Sequence, residues 1–331
     1  MKISVVIPVK NSLQTLPECI SAVKNSDYDD YEIVVVDDLS EDGSADYARE
    51  QGCRVVKSHP PHGVSAARNT GAIESRGEII FFIDSDIIIE KDTLSKLSEI
   101  YETLSPDAVV GVQSEKLRFD NFLSQFKNLW MRFTYLNQPQ YVALFYTSVA
   151  SIRKDIFLEI GGFDENYNIP NVEDTDLGQK LYKAGYRIYL ARELEVEHIK
   201  SYDFASIMKT DYYRARGLVK MVLRRGLKGL SEGNKTSVPS IYMLQMPAFF
   251  IAFLLLLAFI VSGNSIFLLW IIPCLILMVI ANSTFLIFLG DKKSLLFVII
   301  SFFFIIIDNV SVLWGMITGW FSFFLTDNKY Y

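Results

Sequence analysis

The hydrophobic and polar positions divide the chain into two regions with different patterns. Over residues 1–235, short apolar runs alternate with charged and polar segments, as they do in a water-soluble domain. From residue 241 to residue 325 the chain is almost wholly apolar. The pattern therefore predicts a folded domain followed by a membrane-spanning region.

Predicted strands alternate with predicted helices in the first region. Short β-branched runs predict strands at residues 3–9, 32–38, 54–57, 78–84, 108–113 and 187–191. Helical periodicity predicts helices at residues 13–24, 44–51, 64–75, 93–104, 154–160 and 174–184. This alternation predicts an α/β, Rossmann-like fold with a mostly parallel sheet. Residues 119–148 have a mixed aromatic pattern that predicts no element firmly.

Three apolar runs make up the second region, at residues 241–261, 266–289 and 295–325. The first two match the roughly 20 apolar residues that a helix needs to cross a bilayer. The third contains Asp308 and Asn309, so it is either one long tilted helix or a broken hairpin. Asp308 could be functional, lie near an interface, or mark the turn of a broken helix. The pattern leaves these three alternatives open.

An amphipathic segment with a basic face precedes the apolar runs. Within residues 209–230, four cations fall at four-residue spacing: Arg216, Lys220, Arg224 and Lys228. Like charges at this spacing repel each other, so an anionic surface such as lipid headgroups is expected to offset them. The alternative is a solvated basic face. The predicted divisions are a domain at 1–208, an interfacial helix and linker at 209–240, and a membrane region at 241–325.

Charge next to the apolar runs predicts the orientation in the membrane. The loop at residues 262–265 carries no charge, whereas the loop at 290–294 contains Asp291, Lys292 and Lys293. Basic residues also precede the first run, so the positive-inside rule places the large domain and the Lys292 loop in the cytoplasm. The first residues lack the long apolar stretch of a signal peptide, because Pro8 interrupts it.

Composition and motifs count against three other classes: nucleic-acid-binding proteins, disulfide-rich proteins and dinucleotide-dependent oxidoreductases. The net charge of −6 gives no indication of nucleic-acid binding. The three cysteines, Cys19, Cys53 and Cys274, have neither metal-binding nor redox spacing and indicate no disulfide framework. A Gly-x-Gly-x-x-Gly turn, which a dinucleotide-dependent oxidoreductase would need after the first strand, is replaced by PVKNSLQ.

Two predicted strands end in carboxylates at the edge where α/β sheets bind ligands. Asp37 and Asp38 could accept hydrogen bonds from a nucleobase or a ribose, or could simply shape a turn. Asp84 and Asp86 bracket one residue, so both could face a hard cation such as Mg²⁺ or Mn²⁺. Phosphate oxygens of a substrate would then complete the coordination shell.

Further candidate residues lie elsewhere in the first region. Arg68 could reach a phosphate or a nucleobase, or form a surface salt bridge. Glu173 and Asp174 open a predicted helix, where one of them could act as a general base or both could favour the helix dipole. His198 follows a predicted strand and is either a metal ligand or a structural residue.

Six segments in this order resemble the family 2 inverting glycosyltransferases: VVIPVKN, VVVDDLSEDGS, ARNTGA, IIFFIDSD, GGFDE and VEDTDLG. The resemblance covers residues 1 to about 230. It implies a GT-A fold, a nucleotide-diphospho-sugar donor and a divalent metal, Mg²⁺ or Mn²⁺. It also implies roles for individual residues. Those implied for nucleotide-sugar binding are Pro8, Val9, Asp37, Asp38, Arg68, Asn69, Asp84 and Ser85. Those implied as metal ligands are Asp84, Asp86 and His198, and Asp174, with Glu173 beside it, is the implied catalytic base.

One departure from the family affects the expected product. Processive polysaccharide synthases carry a Gln-x-x-Arg-Trp motif, whereas the comparable region here is KTDYYRARG and has no tryptophan. The resemblance therefore implies transfer of one sugar, or a few, to a membrane-held acceptor, either lipid-linked or a cell-surface glycan precursor. The alternatives are a catalytically silent membrane-anchored scaffold, or a transferase that forms a polyprenyl-phosphate sugar.

Overall fold

A mixed sheet forms the centre of the N-terminal domain in the computed structural model, which describes residues 1–226 and 240–330. Within these ranges the sheet has nine strands: β1 (Ile3–Val9), β2 (Tyr31–Asp37), β3 (Arg54–Lys57), β4 (Ile79–Phe82), β5 (Ile87–Ile89), β6 (Ala108–Gln113), β7 (Tyr141–Val142), β8 (Ala150–Arg153) and β9 (Ile188–His198). Their order is β3-β2-β1-β4-β8-β6-β9-β5, with β7 also paired to β9.

Helices cover both faces of this sheet and continue into the apolar region. Those of the domain are α1 (Leu16–Lys24), α2 (Ser44–Glu50), α3 (Val64–Glu74), α4 (Thr93–Leu104), α5 (Phe122–Leu136), α6 (Lys154–Glu159), α7 (Glu173–Lys183) and α8 (Phe204–Arg225). Those of the apolar region are α9 (Gln245–Ser262), α10 (Ile266–Gly290) and α11 (Leu295–Leu325). All three are long and apolar enough to cross a membrane by length and composition.

The α/β fold predicted from the sequence is confirmed, and the sheet has a parallel half. Strands β3, β2, β1 and β4 run parallel, and their register places Val9 beside Asp37. The other half is mixed, because β8 is antiparallel to β4 and β6, while β6 and β9 are parallel. The parallel strands therefore bring both pairs of acidic strand ends to one edge.

Several elements of the structure were not predicted from the sequence pattern. β5 has only three residues, and β8 has four, which is too short for a clear periodicity. β9 continues to His198, well beyond the predicted end at residue 191, because β5 pairs with its second half. The long helix α5 lies inside the segment at 119–148 that predicted no element.

Helix α5 attaches the domain to the membrane helices through an aromatic face. Phe126 lies 4.9 Å from Phe304 of α11, and Trp130 lies 4.8 Å from Phe285 of α10, measured between ring centroids. Phe133 adds a third ring, 5.1 Å from Phe285. Because these rings face other helices and not the sheet, they do not follow the pattern of a helix packed on a strand layer.

Helix α8 packs closely along α11. A Cβ atom built on Gly315 would lie 2.3 Å from the Tyr212 carbonyl oxygen, and one built on Gly319 would lie 2.8 Å from the Arg216 carbonyl oxygen. The two glycines therefore allow the backbones of α8 and α11 to approach closely, as small residues do between membrane helices. The sequence predicted a helix at 209–230, whereas α8 begins at Phe204, where Asp203 caps it.

The basic face of α8 has protein partners. Lys220 is buried and donates from Nζ to the Asn328 carbonyl at 2.9 Å. Arg224 donates to the Tyr167 hydroxyl at 2.6 Å and pairs with Asp176. These contacts offset the repulsion between the like charges of α8. An offset of this kind was expected from lipid headgroups. Lys228 and the predicted linker lie outside the described residues, and the interfacial location of 209–240 stays a prediction.

The three spans connect to the domain on one side. In the α10–α11 loop, Lys292 pairs with Glu115, and Lys293 donates to the Gln125 side chain at 2.8 Å. The domain and this loop therefore lie at the same end of the spans. Helix α11 is continuous over Leu295–Leu325, so the broken-hairpin alternative for this run is wrong. Asp308 lies within it, close to Lys127 and Asp211.

Candidate active site

A buried guanidinium connects two of the predicted acidic motifs. Arg68, on α3, is only 3% exposed and donates to Glu173 Oε1 and to Asp84 Oδ1, each at 2.8 Å. The second oxygen of Asp84 accepts from the Ser148 hydroxyl at 2.9 Å. The two carboxylates explain why Arg68 stays charged although it is buried, because each ion of the cluster has a hydrogen-bonded counterion. The alternative role of Arg68, a surface salt bridge, is wrong, because its ion pairs with Asp84 and Glu173 lie inside the domain.

Asp86 and His198 meet across the β5–β9 pair. His198 Nε2 lies 3.0 Å from Asp86 Oδ2, and His198 Nδ1 lies 3.2 Å from the side-chain nitrogen of Gln113. Gln113 also donates to the Tyr146 hydroxyl at 2.6 Å. The imidazole next to Asp86 lowers the pKa of that carboxyl, although burial acts in the opposite direction. The structure thus joins two predicted metal ligands, and it adds Gln113 and Tyr146, which the sequence missed.

The adjacent carboxylates at the start of α7 have different surroundings. Glu173 is buried, and its Oε2 accepts from the Asn171 backbone N–H at 2.7 Å while Oε1 holds Arg68. Asp174 is half-buried, and among the described residues it accepts from Thr175 alone, through the backbone N–H at 2.6 Å and the hydroxyl at 3.2 Å. Burial and the neighbouring Glu173 raise the pKa of Asp174 to about 6.

Asp176, two residues further along α7, has a structural contact. Its carboxylate accepts from Arg225 Nε at 2.6 Å and from Arg225 Nη2 at 2.7 Å. The side chain therefore fastens α7 to the end of α8.

The Asp37–Asp38 pair holds the loops at the strand edge. Asp37 Oδ1 accepts from the Ser40 backbone N–H at 2.9 Å. Asp38 Oδ1 accepts from the Gly63 backbone N–H at 2.9 Å, and its Oδ2 pairs with Lys10 at 3.3 Å. Pro8 and Val9 lie at the end of β1, beside Val36 and Asp37 of β2. The four residues predicted for nucleoside binding therefore form one group.

Two other residues of the predicted nucleotide site have different positions. Asn69 is buried and fastens a loop, because its side chain donates to the Phe163 carbonyl at 2.9 Å and accepts from the Phe163 N–H at 2.9 Å. Ser85 lies half-buried in the turn between Asp84 and Asp86. Neither placement tests a role in binding.

A cleft of about 780 Å³ lies between the sheet edge, α5, α7 and α8. Arg68, Asp84 and His198 line one end of it, whereas Asp174 and Arg214 line the part formed by α7 and α8. The cleft is large enough for a sugar and parts of two substrates, since small-molecule sites commonly have volumes of about 300–1,000 Å³.

The residues present fit a divalent cation in part. Across residues 1–226 and 240–330, no group of three or more His, Cys, Asp and Glu side chains is gathered closely enough to hold a metal. Asp86 and His198 nevertheless provide one carboxylate and one imidazole 3.0 Å apart. A shell completed by phosphate oxygens or water needs no more protein ligands than these. Asp84 is engaged with Arg68 and Ser148, which leaves its predicted ligation untested.

The α/β domain, with acidic strand ends and a cleft beside them, has the GT-A fold. Residues 4–161 match the model of Glycosyl transferase family 2. This segment is therefore a family 2 glycosyltransferase domain, and the resemblance found in the sequence motifs is confirmed.

Curated relatives have the same general description. The chain is 25% identical over 236 residues to glycosyltransferase AglE of Haloferax volcanii, which covers 66% of this chain and 73% of that protein. It is 30% identical over 213 residues to the probable glycosyltransferase YdaM of Bacillus subtilis, covering 56% of this chain and 48% of YdaM. It is 31% identical over 114 residues to glycosyltransferase GlyG of Streptococcus pneumoniae, covering 33% of this chain and 38% of GlyG. The chain thus spans less than two thirds of YdaM and GlyG.

A solved structure has a similar fold over nearly the whole chain. It is the mannosyltransferase PcManGT from Pyrobaculum calidifontis in complex with GDP-Man and Mn²⁺, with a TM-score of 0.61 and 15% sequence identity. The match covers 97% of this chain and 87% of PcManGT. At this identity the likeness concerns the fold alone, and its coverage includes the C-terminal helices as well as the domain.

Proposed function

We propose that the protein transfers a sugar, with inversion, from a nucleotide-diphospho-sugar to a hydroxyl group of a membrane-held acceptor. The observation that carries this proposal is the difference between the two carboxylates at the start of α7. Glu173 is fixed by Arg68, whereas Asp174 faces the cleft with no cation within 4.0 Å among the described residues. A half-buried carboxylate without a counterion, facing a cleft, is suited to accept a proton.

The donor would lie along the acidic strand edge. Asp37 and Asp38, with Pro8 and Val9 beneath, would contact the nucleoside. Asp86 and His198 would hold Mg²⁺ or Mn²⁺, which would stabilise the negative charge on a departing diphosphate. Arg68, already bonded to Asp84, would add positive charge at the same end of the cleft. Asp84 and Ser85 would complete this edge, and Asn69 would contribute through the loop that it fastens.

In the proposed single displacement, Asp174 removes the proton from the acceptor hydroxyl. The oxygen then forms a bond to the anomeric carbon on the side opposite the diphosphate, whose bond to that carbon breaks. Arg68 keeps Glu173 ionised and in place, so that its negative charge maintains the proton affinity of Asp174. The missing Gln-x-x-Arg-Trp motif supports transfer of one sugar or a few.

The proposed location follows from the apolar helices and the charged loop between α10 and α11. The helices would anchor the protein in the cytoplasmic membrane, with the catalytic domain in the cytoplasm. The basic pair Lys292 and Lys293 contacts this domain, so both would obey the positive-inside rule together. An acceptor held in the same membrane would then lie near the cleft.

The proposal is tested with the purified full chain in lipid nanodiscs, a panel of nucleotide sugars and Mn²⁺. We expect donor turnover to fall by about 10²–10⁴-fold in Asp174→Asn, because proton removal contributes a factor of this size. Asp86→Ala should also lose most activity. Asp46→Asn, which changes an exposed carboxylate of α2, is the matched control and should stay near the parent. Full activity in both site variants would refute the proposal, and nucleotide binding without turnover in the parent would favour the scaffold alternative.

A further inference from the structure

Cations outnumber carboxylates around the cleft. Among the described residues, six cationic side chains line it: Arg68, Lys127, Lys200, Lys209, Arg214 and Arg216. Of the carboxylates in the same ranges, three do so: Asp84, Glu173 and Asp174. The chain as a whole has a net charge of −6, so this local excess of positive charge runs against its composition. A cleft of this kind attracts anionic ligands.

The cations differ in their pairing. Arg68 is held by Asp84 and Glu173, and Lys127 is held by Asp211. Lys200, Lys209, Arg214 and Arg216 have no carboxylate within 4.0 Å in the described part of the chain. Lys200 lies two residues after His198 and acts electrostatically on Asp86, which places it at the donor end. The remaining three belong to α8.

Arg214, on α8, lines the same cleft as the proposed base. The hydrogen bond recorded for its guanidinium goes to the Met131 sulfur at 3.8 Å, and thioether sulfur is a weak acceptor. Burial acts to lower the pKa of this arginine, but the negative charge of Asp174 raises it, and both side chains line the cleft. A largely desolvated guanidinium with so weak a partner is costly to maintain unless an anion completes it.

Two neighbouring side chains also have unmet hydrogen-bonding capacity. Arg216 Nε and both polar atoms of the Asn171 side chain are buried without a hydrogen-bond partner among the described residues. Asn171 lies against Gly217, where an added Cβ would be 2.3 Å from Asn171 Nδ2. The absence of a side chain at residue 217 therefore makes room for this amide. Donors from α8 and from the loop before α7 thus line the same cleft.

We propose that Arg214, Arg216 and Asn171 form a subsite for a phosphate group of the acceptor. This inference deepens the proposed function and rests on it, because the bound phosphate belongs to an acceptor only if the protein is the proposed transferase. A phosphate oxygen accepts several donors at once, and arginine binds it in a fork geometry that lysine lacks. In the proposed function, the donor diphosphate would be held by Arg68 and by a divalent cation on Asp86 and His198, which leaves the α8 donors for a second anion.

The position of α8 favours a lipid as the source of this phosphate. The Arg216 carbonyl lies against Gly319 of α11, and the Tyr212 carbonyl lies against Gly315. Arg214 and Arg216 therefore project from a helix that follows the third span closely. A headgroup attached to a chain in the bilayer would reach this end of the cleft, whereas a soluble phosphorylated acceptor would have to enter from the aqueous side.

The test measures binding and needs no sugar transfer. The full chain in zwitterionic nanodiscs is saturated with a nucleoside diphosphate and Mn²⁺, so that the donor site is filled. Binding is then measured for a polyprenyl phosphate, the matched polyprenyl alcohol, a short water-soluble prenyl phosphate and inorganic phosphate. We expect the long phosphate to bind more tightly than the alcohol, and Arg214→Gln/Arg216→Gln to weaken it about 10–100-fold, as loss of charged hydrogen bonds does.

The matched control is Lys24→Gln/Lys96→Gln, which removes two charges from exposed positions of α1 and α4. It should bind the polyprenyl phosphate as the parent does. Equal binding of phosphate and alcohol, or an unchanged affinity in the arginine double variant, would overturn the subsite. If the short phosphate or inorganic phosphate competes at the same concentration as the long lipid, the subsite stands and its ligand is a soluble phosphorylated acceptor.

Failure of this inference is distinguishable from failure of the proposed function. Phosphate binding that persists in a chain without transferase activity would contradict the proposed function alone. Transfer to an uncharged acceptor, with no preference for phosphate, would contradict the subsite alone. Repeating the binding measurement in Asp174→Asn separates the two further, because that change removes the proposed base and leaves both arginines in place.

Discussion

Glu173 and Asp174 are neighbours in sequence, and the structure gives them different chemistry. Both oxygens of Glu173 are engaged, one by Arg68 and the other by the Asn171 backbone. Asp174 has no such clamp, and the fixed negative charge beside it makes its own ionisation harder. The sequence alone left the choice of base between them, and these hydrogen bonds favour Asp174.

The pH dependence of turnover should report on Asp174. Because burial and Glu173 raise its pKa to about 6, the ionised base is present above that pH and is lost as the pH falls through it. We expect kcat/KM to drop about tenfold per pH unit below 6. In Glu173→Gln the neighbouring negative charge is gone, so the acid limb should move to lower pH. A limb that stays at the same pH in this variant would contradict the assignment.

The raised pKa of Asp174 also makes the stability of the folded protein depend on pH. A carboxyl whose pKa is higher in the folded state than in the unfolded state binds its proton more tightly when folded. Asp174 therefore favours folding at low pH, and this contribution is lost as the pH rises through about 6. In Asp174→Asn that part of the pH dependence of unfolding should disappear.

The residue types at the site were predictable from the sequence, and their pairings were not. Carboxylates after short apolar strands pointed to a ligand edge because the period and the strand ends are local signals. The bond between Arg68 and Glu173 joins residues 105 positions apart, which no local pattern contains. Gln113 and Arg214 gave no signal at all, since a lone amide in a strand and a basic residue on an amphipathic helix are common.

At the scale of elements, helix α8 links the cleft to the membrane region. Its contact with α11 depends on two glycines that leave room for the α8 backbone. Helix α8 carries three of the cations that line the cleft, and Asp203 and Asp176 hold its two ends. A displacement of α8 would therefore move Arg214 and Arg216 relative to Asp174.

Gly315→Ala tests this dependence. The added methyl group would meet the Tyr212 carbonyl at 2.3 Å and the Ala215 Cβ at 3.1 Å, so α8 or α11 has to shift. Overpacking of this kind costs about 1–3 kcal/mol, which lowers Tm by several degrees. We expect a higher KM for the acceptor, with nucleotide affinity retained, because in the described part of the chain α8 forms no hydrogen bond or ion pair with the Asp37–Asp38 pair or with Asp86 and His198.

A matched glycine change provides the control. Gly290 closes α10, and a Cβ built there would meet nothing within 4 Å. Gly290→Ala should therefore leave Tm and KM close to the parent values. If Gly315→Ala behaves in the same way, the close approach of α8 and α11 does not position the cleft.

The elements themselves divide by how locally they are encoded. The parallel half of the sheet was predicted almost residue by residue, because each strand is a continuous apolar run bounded by turns. Strands β8 and β5 were not predicted, because they are short and are stabilised by antiparallel pairing with strands distant in sequence. Helix α5 was not predicted from the sequence, because its aromatic side chains face α10 and α11. The residues that they contact lie more than 140 positions further along the chain.

At the scale of the whole molecule, the domain and the α10–α11 loop share one end of the spans. The contacts of Lys292 and Lys293 with the domain join the two, and the uncharged loop at 262–265 lies between α9 and α10 at the other end. This arrangement agrees with the asymmetry of basic residues in the sequence. Which compartment holds the domain remains part of the proposal.

Cysteine labelling can identify the compartment. In a Cys53→Ser background, Asp291→Cys and Asn264→Cys place a thiol at each end of the spans. We expect a membrane-impermeant maleimide to label residue 291 in inverted membrane vesicles and residue 264 in intact spheroplasts, because positive loops stay inside. Cys19 is buried and Cys274 lies within a span, so both should react little. The opposite labelling pattern would place the domain outside and refute the proposed location.

The aromatic face of α5 has a practical consequence for work on this protein. A fragment ending before residue 227 would lose the surface that covers Phe126, Trp130 and Phe133. Rings uncovered in this way would meet water, and large exposed apolar patches drive aggregation. Poor solubility of such a fragment would then reflect its missing partner helices and would carry no information about whether the enzyme folds. A sample that keeps α10 and α11 therefore keeps this aromatic face covered.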